Sequence, residues 1–278
     1  MTRPLFTLQT KRPKKNLRNS FLASAVLMSA LFAVPALAHK TFLWPAKFMW
    51  DTGDKVEVAL TSALAFPDLE SGPGKDRIAF SAVVLGSQKI DGFSLAENET
   101  YLNLEFEAKT SGFGVVAMSS KTRSGEIKPE DTEGYLDEIG ASQAVHQAFN
   151  DLPGTPALNR SYNKHTKTFI CVDACKAGAG EKYKPVGQKL EFVAAQSGDR
   201  NFVLLLDGKP LAGQDVVIYG VDGKGAATVS DVNGLVQIEA DQMGVVMLTA
   251  VWITLPATPD GVYHSDYTAL TLKLAHTH

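Results

Sequence analysis

Apolar and polar residues alternate along most of this chain with a period of two, the mark of strands that bury one face. Lys55-Val56-Glu57-Val58-Ala59-Leu60 shows it first, just after the turn-forming Asp51-Thr52-Gly53-Asp54. Residues 101–106 alternate too, and 78–85 and 112–119 read as further strands, with Gly and Asp turns between them. Such a meander predicts a sandwich. The period changes at Lys128-Pro129-Glu130-Asp131, where a proline in the first turn and acids at the positive end of the helix dipole predict a helix start. Tyr135, Leu136, Ile139, Val145 and Phe149 are the apolar positions of this helical excursion. It spans 128–152, is split by Gly140, and ends at Pro153-Gly154-Thr155-Pro156.

Strand character returns with the basic, aromatic segment Asn159 to Ile170 and a short strand over 190–194. The last part holds strands at 202–206, 215–219, 235–238, 244–252 and 265–274, with Leu270, Leu272 and Leu274 on one face. Its turns, Asp207 to Gly213 and Ser230-Asp231-Val232-Asn233-Gly234, follow the order of small Greek-key modules. The expected fold is mainly β: two sandwich-like domains, the first (39–197) carrying the helical excursion. The second (198–278) resembles the transthyretin-like or Cna-B-like sandwich class.

The first 38 residues follow a different pattern. Arg3, Lys11, Arg12, Lys14, Lys15 and Arg18 form a basic head, residues 21–34 an apolar run, and Ala36-Leu37-Ala38 a small-residue cleavage site. These are the parts of a secretory signal peptide. The run is short for a bilayer span of about 20 residues, and no later stretch is apolar enough to cross a membrane. The expected product is periplasmic and begins at His39.

Export changes the charge. The chain has 27 Lys and Arg against 30 Asp and Glu. The leader removes six bases and no acid, leaving a net of about −9 over the remaining residues. That balance argues against nucleic acid and anionic membrane as partners and suits a cation. In an oxidising compartment the two cysteines, Cys171 and Cys175, read first as a disulfide and second as a thiolate pair for a soft metal.

Several pieces occur together in order: Ala38-His39 with Phe42, Trp44 and Pro45; the Gly-Asp-x-Val-x-Val strand; Pro129-Glu130-Asp131 leading to Tyr135-Leu136; and Arg160-x-Tyr162-x-Lys164-x-x-Lys167. The Gly208-Lys209-Pro210-Leu211-Ala212-Gly213 turn completes them. In this order the chain resembles the DUF4198 family, associated with the periplasmic component of cobalt or nickel uptake systems. The resemblance implies a metal-binding role and a membrane transporter component as partner.

The residues offer matching chemistry. Cleavage before His39 would leave a free amine beside its imidazole, a pair that chelates Ni²⁺, Co²⁺ or Cu²⁺. His165, His264 and His146 are the candidates for a further ligand, and His276 and His278 stand two apart at the end of the sequence, where an extended strand would let both face one ion. Arg160, Tyr162, Lys164 and Lys167 cluster positive charge that could hold an anion or the carboxylate chelate of a metal. Trp44, Trp50 and Trp252 read as packing. No nucleophile elbow, zinc-protease helix, P-loop or dinucleotide fingerprint occurs. The expectation is a non-enzymatic exported protein that captures or delivers nickel or cobalt, with copper possible. The alternative is an envelope scaffolding module that recognises a protein or carbohydrate.

Overall fold

A computed structural model describes residues 39–154, 156–258 and 261–274. The expected leader (1–38) and the terminal pair His276 and His278 lie outside them. The first strands are β1 (Lys40–Pro45), β2 (Met49–Trp50), β3 (Lys55–Ala63), β4 (Ile78–Leu85), β5 (Gln88–Lys89), β6 (Ser94–Glu97), β7 (Leu102–Glu107), β8 (Gly112–Ser120) and β9 (Arg123–Ile127). Helices α1 (Pro129–Glu138) and α2 (Gln143–Asn150) come next, then the long strand β10 (Leu158–Val172). The chain continues through β11 (Leu190–Ala194), β12 (Asn201–Leu206), β13 (Lys209–Pro210), β14 (Asp215–Gly220), β15 (Gly225–Val229), β16 (Leu235–Gln237), β17 (Val245–Thr254) and β18 (Tyr263–Lys273). No described helix is long and apolar enough to cross a membrane.

Alternation places the core. Val56, Val58 and Leu60 of β3 stand opposite Phe106, Leu104 and Leu102 of β7, all buried on one face. Each such side chain contributes about 1.5–3 kcal/mol on leaving water. These strands belong to a four-stranded sheet of order β1-β3-β7-β6. It covers Val83, Leu85, Val116, Met118, Ile170 and Val172 of a ten-stranded sheet of order β15-β14-β17-β18-β10-β8-β4-β5, with β2 and β9 also paired to β10. A third sheet, β11-β12-β13 with β16 on β12, packs on the other face. There Phe192, Phe202 and Leu204 meet Phe169, Leu248, Leu270 and Leu272.

The architecture is therefore mainly β, with two sandwich cores on opposite faces of one shared sheet. The strand that joins them is β10. It runs antiparallel to β8 and β9 on one edge and parallel to β18 on the other, with Arg160 opposite Tyr263 and Thr168 opposite Thr271. Parallel pairing needs a long crossover, here everything from β11 to β17. The expected boundary near residue 198 falls between β11 and β12, neighbouring strands of the third sheet.

The helical excursion forms as expected, with Pro129 in the first turn of α1 and Gly140 at φ +67° reversing the chain before α2. Leu136, Val145 and Phe149 pack on Leu158 and Tyr263 at the start of β10 and β18. Trp50 is buried in the first sandwich, and Trp44 and Trp252 pack against the other cores. The short strands β1, β2, β5, β6, β9, β13 and β15 lack a readable alternation; they form because a partner edge is present.

Candidate functional site

Strand β10 carries nearly every candidate residue, and its pleat sorts them. Arg160, Tyr162 and Lys164 share one face; Ser161, His165 and Lys167 share the other. The basic cluster expected from sequence is therefore divided: Lys167 leaves it. Its ammonium is buried against the Glu191 carboxylate and donates a second hydrogen bond, of 3.0 Å, to the Phe192 carbonyl. Glu191 also accepts from the backbone N–H groups of Val186 and Gly187 at 3.0 and 3.1 Å. Lys167 thus ties β10 to β11 as a satisfied structural pair.

Of the remaining three, Tyr162 and Lys164 line a cavity of about 380 Å³ between β1, β3 and the 73–78 turn on one side and β8, β9 and β10 on the other, and Arg160 stands further along the same strand face. Lys164 Nζ donates to the His39 carbonyl at 3.0 Å and to Thr41 Oγ1 at 2.7 Å, and lies 5.6 Å from the centroid of Tyr267. Burial, followed by the nearby charges of Arg160 and Arg123, pushes its pKa down to about 8. Burial likewise pushes the Tyr267 phenol upward, so it stays neutral beneath the ammonium. The Arg160 guanidinium lies 4.9 Å from the ring centroids of both Tyr135 and Tyr162, and its Nη1 donates to Tyr135 Oη at 3.3 Å. Its buried Nε has no partner among the described residues. Arg77, Lys121 and Arg123 also line the cavity, with Asp76 the single acid among the lining residues. The result is a set of cations lacking a matching carboxylate, beside the hydroxyls of Ser62, Ser120 and Thr122.

On the opposite face of β10 a polar chain crosses the sheet. Gln188 Nε2 donates to Ser119 Oγ at 3.2 Å, and Ser119 Oγ lies 2.9 Å from His165 Nδ1. His165 Nε2 is 3.0 Å from Asp266 Oδ1. One tautomer satisfies all three contacts: Ser119 donates to Nδ1, and Nε2–H donates to Asp266. Asp266 Oδ2 is buried and lies 3.5 Å from His264 Nε2, while His264 Nδ1 is 2.7 Å from Ser161 Oγ. Both nitrogens of His165 are thus engaged with protein partners.

The expected ligand histidines are dispersed otherwise. His39 is exposed and touches the site through its backbone carbonyl. His146 bridges the helices, with Nδ1 3.0 Å from Glu133 and Nε2 3.5 Å from Asp137. Among the described residues, no group of three or more His, Cys, Asp or Glu is placed to hold a metal ion. Cys171 and Cys175 form a disulfide that closes the turn after β10.

Sequence inspection missed Thr41, Arg77, Arg123 and Asp266. Arg123 carried no signal, because it begins β9, which forms only against β10, where it stands opposite Tyr162. Nor did Asp266, because its role depends on the β10–β18 register.

These features define a mainly β sandwich protein with a cation-lined cavity beside β10. More particularly, the chain belongs to the DUF4198 family, described as a domain of unknown function, whose model matches residues 36–254. No curated protein matches. Among solved structures, the chain is similar to trypsin-activated alpha-2-macroglobulin from Escherichia coli, with 10% identity and a TM-score of 0.23, over 87% of this chain but 16% of that one. It is also similar to the full ectodomain (Ig1–Ig3) of mouse nectin-like molecule 4, with 11% identity and a TM-score of 0.16, over 85% of this chain and 65% of that one.

Proposed function

We propose that this is an exported, non-catalytic binding protein whose ligand is a small carboxylate-bearing anion, including the carboxylate chelate in which nickel or cobalt would travel as cargo. One observation carries this: Lys164, a part-buried ammonium with its pKa lowered to about 8, has Arg160 and Arg123 as its charged neighbours rather than a carboxylate. Cations gathered without counter-ions raise one another's energy. A bound anion removes that cost and gains charge-assisted hydrogen bonds. Arg77 and Arg123, which line the cavity, offer planar forks that match a carboxylate. The basic-head leader pattern and the Cys171–Cys175 disulfide support export. A membrane transporter component is the proposed recipient of the cargo.

The test is calorimetric titration of protein beginning at His39 with citrate, nickel citrate and free Ni²⁺. Citrate and its nickel chelate should bind wild type and bind Lys164→Met at least roughly tenfold more weakly, the loss of one charge-assisted contact. Equal binding by both proteins, or none by either, refutes the proposal. Tight binding of free Ni²⁺ that His39→Ala abolishes would replace it with direct chelation at the N-terminus.

A further inference from the structure

A second cavity, of about 390 Å³, lies at the other end of β10, lined by residues of the shared sheet and of the third sheet. Its size falls in the range of small-molecule sites, roughly 300–1,000 Å³. Phe113, Phe169, Phe202 and Leu272 form its floor, with the Phe113 and Phe169 rings 5.2 Å apart. The Cys171–Cys175 disulfide braces one wall, and Met49, 51% exposed, stands at the rim. An apolar floor of this kind has no polar partners to order water.

The charged features of the lining are an ion pair and a second cation, Lys273. Lys182 Nζ lies 3.1 Å from Asp199 Oδ1, and both line the cavity. The two side chains are unequally exposed, 24% for Lys182 and 77% for Asp199. The ammonium, also 5.1 Å from the Tyr183 ring centroid, is therefore the more buried member and the carboxylate the more exposed one. An incoming anion could take the place of Asp199 without leaving a buried charge unpaired.

We infer that this cavity binds a single-chain fatty carboxylate, with the chain on the Phe113, Phe169 and Phe202 floor and the head group on Lys182. Free laurate is the probe, with dodecyltrimethylammonium as its counterpart of opposite charge and equal chain length. Calorimetric titration of the disulfide-intact protein should show saturable, one-to-one laurate binding below the micellar concentration. Lys182→Gln should weaken it, and Asp199→Asn should tighten it by removing the competing carboxylate. Opposite shifts from two surface substitutions would not arise from loss of folding. Met49→Trp, which narrows the rim at an exposed position, should weaken laurate roughly tenfold or more by occupying the apolar floor. Three results would overturn the inference: no saturable binding by wild type, equal affinity for both head groups, or laurate affinity unchanged in both Lys182→Gln and Asp199→Asn. Because none of these residues lines the Lys164 cavity, citrate binding should stay at its wild-type value in each variant.

Discussion

Replacing Lys164 with methionine should make the protein more stable while it weakens anion binding. In the folded state burial and the adjacent arginines hold the Lys164 pKa at about 8, against 10.5 in the unfolded chain. That difference of about 2.5 units corresponds to roughly 3 kcal/mol of penalty for the ammonium at neutral pH. Partial solvent access at its tip trims the figure. Methionine also forfeits the hydrogen bonds to the His39 carbonyl and Thr41 Oγ1, about 1 kcal/mol net because His39 is exposed and Thr41 keeps Ser62 as a partner at 2.6 Å. The expected gain is about 1–2 kcal/mol at pH 7. The sign follows from proton counting. Between pH 8 and 10.5 the unfolded chain binds more protons than the folded one, so wild-type stability rises with pH across that window. The advantage of Lys164→Met should therefore be full below pH 8 and gone near pH 10.5. Urea denaturation at pH 7 and pH 10.5 reads both values. With citrate at a hundredfold excess over its Kd, wild type should regain about 2.7 kcal/mol and the order should reverse. A variant less stable than wild type at pH 7, or one whose advantage persists at pH 10.5, would refute this account of the site.

Two further outcomes test the frame around it. Lys167→Met leaves the fully buried Glu191 carboxylate with only two backbone donors, so it should cost about 3–5 kcal/mol in urea denaturation. Lys167→Met with Glu191→Gln should recover part of that, and a single-variant cost under about 1 kcal/mol would sink the idea that the pair is a mutual requirement. Gly178→Ala should cost roughly 2 kcal/mol or more in thermal unfolding, because φ is +71° and an added Cβ would lie 2.7 Å from the Ser87 backbone nitrogen. A neutral result there would mean that the turn before Glu181 shifts freely.

Much of the site was legible before the structure, though not its partition. The alternation rule already places Lys164 and Lys167 on opposite faces of any strand containing both, three residues being an odd step. Grouping them by charge overrode that rule. Lys167 then proved to be a structural pair, and Arg160, Tyr162 and Lys164 remained on the cavity face. The histidines lacked such a signal. His165 and His264 lie about a hundred residues apart and meet at Asp266 only because β10 and β18 run in parallel, with Ser161 opposite His264.

Local chemistry alone determined the longer strands, the split helical excursion and the cysteine turn, because hydrophobic period, proline and glycine placement and a cysteine separation of 4 act within a few residues. Tertiary structure alone decided that the two sandwiches share a sheet, that the basic residues of β10 divide between a salt bridge and a cavity, and that His39 enters through its carbonyl. Those outcomes depend on strand order and register between distant segments. Two chains with the same local pattern can pair their strands differently, and only the packing of both faces of the central sheet selects one arrangement.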